Sequence, residues 1–201
     1  VYTISELVLN INGTCPQIFT SSTVNGVDCD YSAENDKITL KNIEVPVVAE
    51  GVTVSGKLIS YNPNYDVSVR LMQGDTEMYT AEVAAPTATS GQAEQSFSFA
   101  SVAMGTYDLV VVKAAHLTYT VKNVKVGDMA LDLTKLTDKP YQTITMLCGD
   151  INGDGSITES DVSIIRYSTN INKSTTEAGN ALTDINGDGS VTESDVSIVR
   201  Y

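Results

Sequence analysis

The sequence predicts a mainly β chain, an antiparallel sandwich, that ends in a small α-helical unit. Three observations carry this. Short runs of β-branched and aromatic residues alternate with polar ones between residues 52 and 126, and Gly-, Asn- and Pro-containing turns separate them. Beyond residue 148 the pattern changes to an acidic, glycine-punctuated loop that occurs twice, DINGDGSITESD at 150–161 and DINGDGSVTESD at 184–195, each leading into a helical period.

Composition sets the outer limits. The chain has 201 residues, 42% hydrophobic, with no Trp, 14 Gly and 5 Pro, which suits one to three compact domains. No apolar run approaches the ~20 residues needed to cross a bilayer, so no membrane partner is expected. Residues 1–20 have no signal-like stretch, and with Val at position 1 the chain reads as a mature or excised piece. The formal charge of −13 argues against nucleic acid, whose phosphates need clustered Lys and Arg. Nine acids against three bases fall in 149–201, so cations are the expected guests there.

Along the chain, 5–12 and 37–45 read as strands flanking an irregular segment. Residues 1–48 are then either an extra hairpin of the sandwich or the remnant of an upstream domain. Within 49–147 the strands are 52–59, 67–72, 96–99, 107–112 and 119–126. Asn62-Pro63-Asn64, Gln73-Gly74-Asp75, Ser90-Gly91-Gln92 and Met104-Gly105-Thr106 are the turns between them. The order VSGKLI, DVSVRLMQG, SFSFASVAMGTYDLVVVKAAHLTYTVKNVKVGD resembles the carboxypeptidase-regulatory-like, transthyretin-like sandwich, an Ig-like or prealbumin-like X-module. That resemblance implies a fold and no chemistry.

The repeated loop has a chemical reading of its own. Residues 150–167 and 184–201 differ only at Ile157/Val191 and Ile165/Val199. A hard cation such as Ca²⁺ takes six to eight oxygens, which a twelve-residue loop supplies from positions 1, 3, 5, 7, 9 and 12. The first copy offers Asp150, Asn152, Asp154, the Ser156 carbonyl, Thr158 and Asp161. The second offers Asp184, Asn186, Asp188, the Ser190 carbonyl, Thr192 and Asp195. Gly155 and Gly189 at position 6 give the positive φ of the sharp turn. Ile157 and Val191 at position 8 are expected to pair across the two loops. Both copies end in Asp where the EF-hand pattern has Glu, which leaves the carboxylate shorter.

An ordinary EF-hand has a helix before the loop, whereas 139–147 is β-like and contains Pro140. A duplicated loop and exiting helix joined by the connector 175–182 resembles the type I dockerin modules of cellulosomes, over residues 148–201. The resemblance implies two EF-hand-like (F-hand) loops holding two Ca²⁺ and a cohesin on a scaffoldin as partner. It also implies a secreted, extracellular setting in a bacterial cell-surface complex. Independently, at 100° per residue Glu159, Ser160, Ser163, Arg166 and Tyr167 share one helix face, with Asp161, Val162 and Ile165 opposite. The face repeats as Glu193, Ser194, Ser197, Arg200 and Tyr201. Family recognition positions fall on Glu159, Ser160, Arg166, Tyr167 and their second-copy equivalents. Many members carry Ser-Thr and Lys-Arg pairs there, so the cohesin class is left open. Matching faces predict that either helix leads in binding, the module turning by about 180° between modes.

Other features carry less. Cys15 and Cys29 are the candidate disulfide pair, with Cys148 left over beside the first loop. His116 has no second imidazole and no nucleophile set, and no phosphate loop or Cys/His cluster exists, so the chain is not expected to be an enzyme. Met72, Met78, Met104, Met129 and Met146 all lie outside the repeats, against a calcium sensor with a Met-rich groove. The expected function is calcium-dependent docking by a protein that is monomeric when free, with the sandwich as spacer. The alternative is a sandwich that binds carbohydrate or a surface ligand.

Overall fold

The computed structural model describes residues 2–10, 22–24, 27–34, 37–45, 51–137, 139 and 141–199, with side chains described from residue 51 onward. The chain divides into two compact units, Val1–Ala49 and Glu50–Tyr201.

The first unit holds β1 (Tyr2–Asn10), β2 (Ser22–Val24), β3 (Val27–Glu34) and β4 (Lys37–Val45) in one antiparallel sheet ordered β1-β4-β3-β2. Tyr2 lies opposite Val45, and Asp30 opposite Lys41. Part of the segment expected to be irregular is therefore strand. The reason is legible in VDCDYSAE, where Val, Cys, Tyr and Ala alternate with acids and Ser in the two-residue period of a strand. The Cys15–Cys29 pairing lies outside the described residues.

In the second unit, β5 (Val52–Tyr61), β6 (Val67–Gln73), β7 (Thr76–Thr80), β8 (Glu82–Val83), β9 (Gln92–Val102), β10 (Gly105–Lys113), β11 (Tyr119–Val126) and β12 (Leu131–Asp132) build two sheets. Their orders are β11-β10-β6-β7 and β12-β5-β9-β8. Alternation places Val54 and Leu58 of β5 with Phe97 and Phe99 of β9 inside one sheet, facing Val69, Leu71, Leu109 and Val111 of the other. Burying each such side chain stabilises by roughly 1.5–3 kcal/mol, which is why this layer fixes the register. The edge strand β7 escapes the sequence pattern because TEMYT buries almost nothing; Tyr79 alone reaches inward, edge-on to Tyr107 at 5.7 Å.

Two segments run parallel to β5 at its other edge, β12 and β13 (Ile144–Thr145). Among the described residues of the β-like 139–147 stretch, two are thus strand. Between them Asp132 caps a 3-10 turn over Leu133–Lys135 and drives Leu133 into the core.

The chain leaves the sandwich still hydrogen-bonded to it. Met146 N–H donates to the Ile59 carbonyl at 2.9 Å, Leu117 N–H to Leu147 O at 2.9 Å, and Gly149 N–H to Ala115 O at 2.7 Å. Then follow α1 (Glu159–Arg166), β14 (Lys173–Ser174), a 3-10 turn over Ala181–Thr183, β15 (Ser190–Val191) and α2 (Glu193–Ile198). A second core gathers Ile151, Val162, Ile165, Ile185, Val191 and Val199 with Ala115 and Cys148, and Tyr61 of β5 packs against it. No helix among the described residues is long and apolar enough to cross a membrane.

Candidate functional site

Both acidic loops close on themselves by the same ladder. In the first, Asn152 Oδ1 accepts from Asp154 N–H at 2.9 Å, Asp154 Oδ1 from Ser156 N–H at 2.9 Å, and Asp150 Oδ2 from Gly155 N–H at 3.1 Å. The second repeats these at 2.9, 2.9 and 3.0 Å through Asn186, Asp188 and Asp184. Asp and Asn suit this work because a short side chain reaches the backbone two residues on. Gly155 and Gly189 turn at φ +84 and +94.

Position 12 closes each ring. Asp161 Oδ1 accepts from the N–H groups of Ile151 and Asn152, and its Oδ2 from Thr158 N–H and hydroxyl. Thr158 in turn caps α1 by accepting from Ser160 N–H at 3.2 Å, a reciprocal capping box repeated by Thr192 and Asp195. The structure therefore gives Thr158, Thr192, Asp161 and Asp195 a loop-closing role that spacing alone does not reveal. Burial acts to raise the Asp161 carboxyl, but its backbone N–H partners outweigh it and hold the group below the usual range. For Asp195 burial wins and the nearby Asp184 charge adds to it, so that carboxyl is raised.

Asp150 differs from its surroundings: its Oδ1 is buried with no hydrogen-bond partner. A carboxylate oxygen in that state is costly unless something binds it. Asp150, Asn152 and Asp154 with the Ser156 carbonyl offer an all-oxygen donor set, the kind a hard cation prefers. Among the described residues, no three His, Cys, Asp or Glu side chains gather into a metal cluster by themselves; the loops depend on amide and carbonyl oxygens as well.

The expected pairing of Ile157 with Val191 is corrected. Val191 and Ser190 pair instead with Lys173 and Ser174, just ahead of the connector, while Ile157 only packs against the same core. Connector residues donate further: Thr175 N–H to Gly189 O at 3.0 Å and Thr175 hydroxyl to Asp184 Oδ2 at 2.5 Å. The sandwich also reaches the second loop and the 3-10 turn before it. Asn62 Nδ2 donates to Asp184 O at 2.7 Å, Asn64 Nδ2 to Gly187 O at 2.9 Å, Gly91 N–H to Asn186 O at 2.5 Å, and Tyr65 hydroxyl to Ala181 O at 2.9 Å. Sequence reasoning read Asn62-Pro63-Asn64 and Gly91 only as turns, because nothing local to them names a partner more than ninety residues away.

The helix surfaces follow the arithmetic of 100° per residue. Asp161, Val162 and Ile165 are buried, while Glu159, Ser160, Ser163, Arg166 and Tyr167 are exposed, as are Glu193, Ser194 and Ser197. Arg200 and Tyr201 lie outside the described residues. The two copies meet across the surface, where Arg166 donates to both carboxylate oxygens of Glu193, at 3.0 and 3.4 Å.

Where the sandwich joins the loops, His116 pairs with Cys148 as an antiparallel bridge, and its Nδ1–H donates to Ala114 O at 2.8 Å. Its Nε2 is buried without a partner, and burial pushes the imidazole down to about 4. Lys113 is buried against Ser60 Oγ at 3.0 Å and is pushed down to about 8, again by burial. These groups serve the junction between the two layers of structure.

A sandwich continuous with a duplicated loop–helix unit is the architecture of an X-module joined to a dockerin. Residues 148–200 match the dockerin type I domain, and this part of the chain is a type I dockerin. Two solved structures share the arrangement, an N-terminal and a C-terminal interface mutant of a type II cohesin–X-dockerin complex from Acetivibrio cellulolyticus. The first is 28% identical with a TM-score of 0.53, the second 26% identical with a TM-score of 0.50. Each alignment covers 74% of this chain and 92% of the other. No curated protein sequence matches the chain.

Proposed function

We propose that this is a calcium-dependent docking protein. Residues 148–201 bind a cohesin domain on a scaffoldin, two Ca²⁺ hold the two loops, and the sandwich of 49–147 is a stabilising spacer, with 1–48 a separate β segment. The role is non-catalytic and extracellular, in a cellulosome-type assembly. The observation that carries the reading is the exposed helix face built twice, Glu159, Ser160, Ser163, Arg166 and Tyr167 with Glu193, Ser194 and Ser197. Arg and Tyr are strong interface anchors. The solved relatives are complexes of an X-dockerin with a type II cohesin, which supports the choice of partner.

The loops fit the ion through Asp150, Asn152, Asp154 and Ser156, and through Asp184, Asn186, Asp188 and Ser190. When bound, Ca²⁺ neutralises the converging carboxylates and fixes the helices. Asp161 and Asp195 each already accept four donors, as many as the roughly four acceptor positions of a carboxylate. Their direct ligation, or that of Thr158 and Thr192, therefore requires part of the capping box to be given up.

A carbohydrate-binding sandwich is less well supported. Tyr167, in the dockerin, is the one exposed aromatic among the described side chains. The open cleft of about 510 Å³ beside Glu82, Ser96 and Asp132 has Phe97 as its one lining aromatic, and that ring is buried in the core at 2% exposure rather than open for a sugar to stack on.

The test is calorimetric titration of the metal-stripped chain with Ca²⁺ beside far-UV circular dichroism, then binding to immobilised type I and type II cohesins with and without chelator. Two equivalents, a gain of helix and chelator-sensitive binding to one cohesin class are expected. No heat and no change in helix would remove the calcium reading and the docking proposal with it.

A further inference from the structure

The two loops are nearly identical in sequence, so any difference in their behaviour must come from what packs on them. The sandwich fixes the second loop at three backbone carbonyls, those of positions 1, 3 and 4, through Asn62, Gly91 and Asn64. The clamp is itself held. Asn62 is 3% exposed and sits in the left-handed region at φ 54. Its N–H donates to Gly91 O at 3.0 Å, and its Oδ1 accepts from Asn64 N–H at 3.1 Å. Against the first loop, the sandwich bonds among the described residues stop at Gly149, one residue before position 1. Asn152, Gly153 and Asp154 are exposed, whereas Gly187 is buried.

We propose that the sandwich holds the second loop in its ion-binding shape before the ion arrives, so that 184–195 takes Ca²⁺ first and more tightly and 150–161 follows. The inference rests on the calcium reading above. Ordering a flexible loop opposes binding, and a loop already ordered by its neighbours is spared that cost. The unpartnered Asp150 Oδ1 does not offset this. The first loop lacks those three bonds, so opening it to hydrate that oxygen costs less than opening the second, which adds to what the ion must reorder. Asp184 Oδ1 accepts one N–H, from Gly187 at 2.9 Å, and keeps an acceptor position for the ion. With three fixed carbonyls the second loop should bind at least about tenfold more tightly, equivalent to about 1.4 kcal/mol. The sandwich turn, remote in sequence, thereby sets the calcium level at which the module begins to assemble.

The experiment titrates Ca²⁺ into the metal-stripped, ¹⁵N-labelled full chain and follows the amide resonances of Gly189 and Gly155. Gly189 should complete its change by the first equivalent and Gly155 during the second. In a double variant, Asn62→Gly with Asn64→Ala, the two should change together; glycine keeps the positive φ at 62, and Asn64→Ala alone, should the pair disturb folding, should narrow the gap severalfold. Simultaneous filling in the unaltered chain, the reverse order, or an order untouched by these variants would overturn the clamp while leaving two calcium sites. Silence at both glycines would overturn the calcium reading and this inference together.

Discussion

Gly153 and Gly187 occupy position 4 of the two loops at φ +72 and +70, so alanine at either meets the same backbone strain, about 1–2 kcal/mol. Their surroundings differ. A Cβ on Gly153 meets nothing within 4 Å, whereas on Gly187 it falls 2.6 Å from Asn62 Oδ1 and 2.8 Å from Asn64 Nδ2. Asn62 is buried and cannot yield without losing its bonds to Asp184 O and Asn64 N–H, and Asn64 must give up Gly187 O. Two or three hydrogen bonds at a net ~1 kcal/mol each add about 2–3 kcal/mol to the shared strain. Gly187→Ala should therefore cost about 3–5 kcal/mol and Gly153→Ala about 1–2. Thermal unfolding of both variants at saturating Ca²⁺ reads the difference as roughly 5–10 °C in Tm for a unit of this size. Equal midpoints within about 2 °C would refute the packing of the sandwich turn on the second loop.

Acid should loosen the junction through His116. Its pKa falls from an ordinary 6.5 to about 4 on folding, so the folded chain binds fewer protons between those values. The associated stability, about 3 kcal/mol, is complete above pH 6.5 and lost as pH falls towards 4; denaturant unfolding at pH 7 and 4.5 should show a slope that His116→Gln removes, and an unchanged slope would contradict it. Asp150→Ala should reduce the calorimetric stoichiometry from two Ca²⁺ to one, with the second loop still filling; retention of two would mean that Asp150 is not a ligand. Arg166→Ala breaks an exposed ion pair with side chains 53% and 67% accessible, and exposed pairs contribute less than about 1 kcal/mol. Its stability should stay within about 0.5 kcal/mol of the parent while cohesin affinity falls, as read by calorimetry against immobilised or free cohesin. Paired substitutions, Ser160→Ala with Ser163→Ala in α1 and Ser194→Ala with Ser197→Ala in α2, should weaken cohesin equally, since both faces are exposed; unequal loss would argue for one leading helix.

Much of the fold is legible in the sequence because period and burial agree. The strands from β5 to β11 that carry the core are the ones whose apolar residues alternate, and the helix faces follow from counting. Legibility fails where the deciding contact is not periodic. β7 packs one Tyr and is otherwise exposed, so it leaves almost no pattern. β3 does alternate, but Cys, Tyr and Ala among acids make a weaker signal than Val and Leu. At the site, spacing identified the loop oxygens but not their division of labour. That Asp161 closes a ring with four donors on it, while Asp150 keeps a bare buried oxygen, depends on where the carboxylates turn.

The repeat dictates local geometry and the sandwich breaks its symmetry. Within each loop the ladder is the same to 0.1 Å, since each bond joins residues two to five positions apart and both copies have the same residues there. What differs is set by bonds that span much longer stretches of chain: Asn62 to Asp184, Asn64 to Gly187, Tyr65 to Ala181. These leave the helix faces untouched and fall on the second loop and on the 3-10 turn just before it. Duplication can thus repeat one exposed helix surface while the attached sandwich makes the two loops beneath unequal, which separates the surface offered to a partner from how readily the module folds.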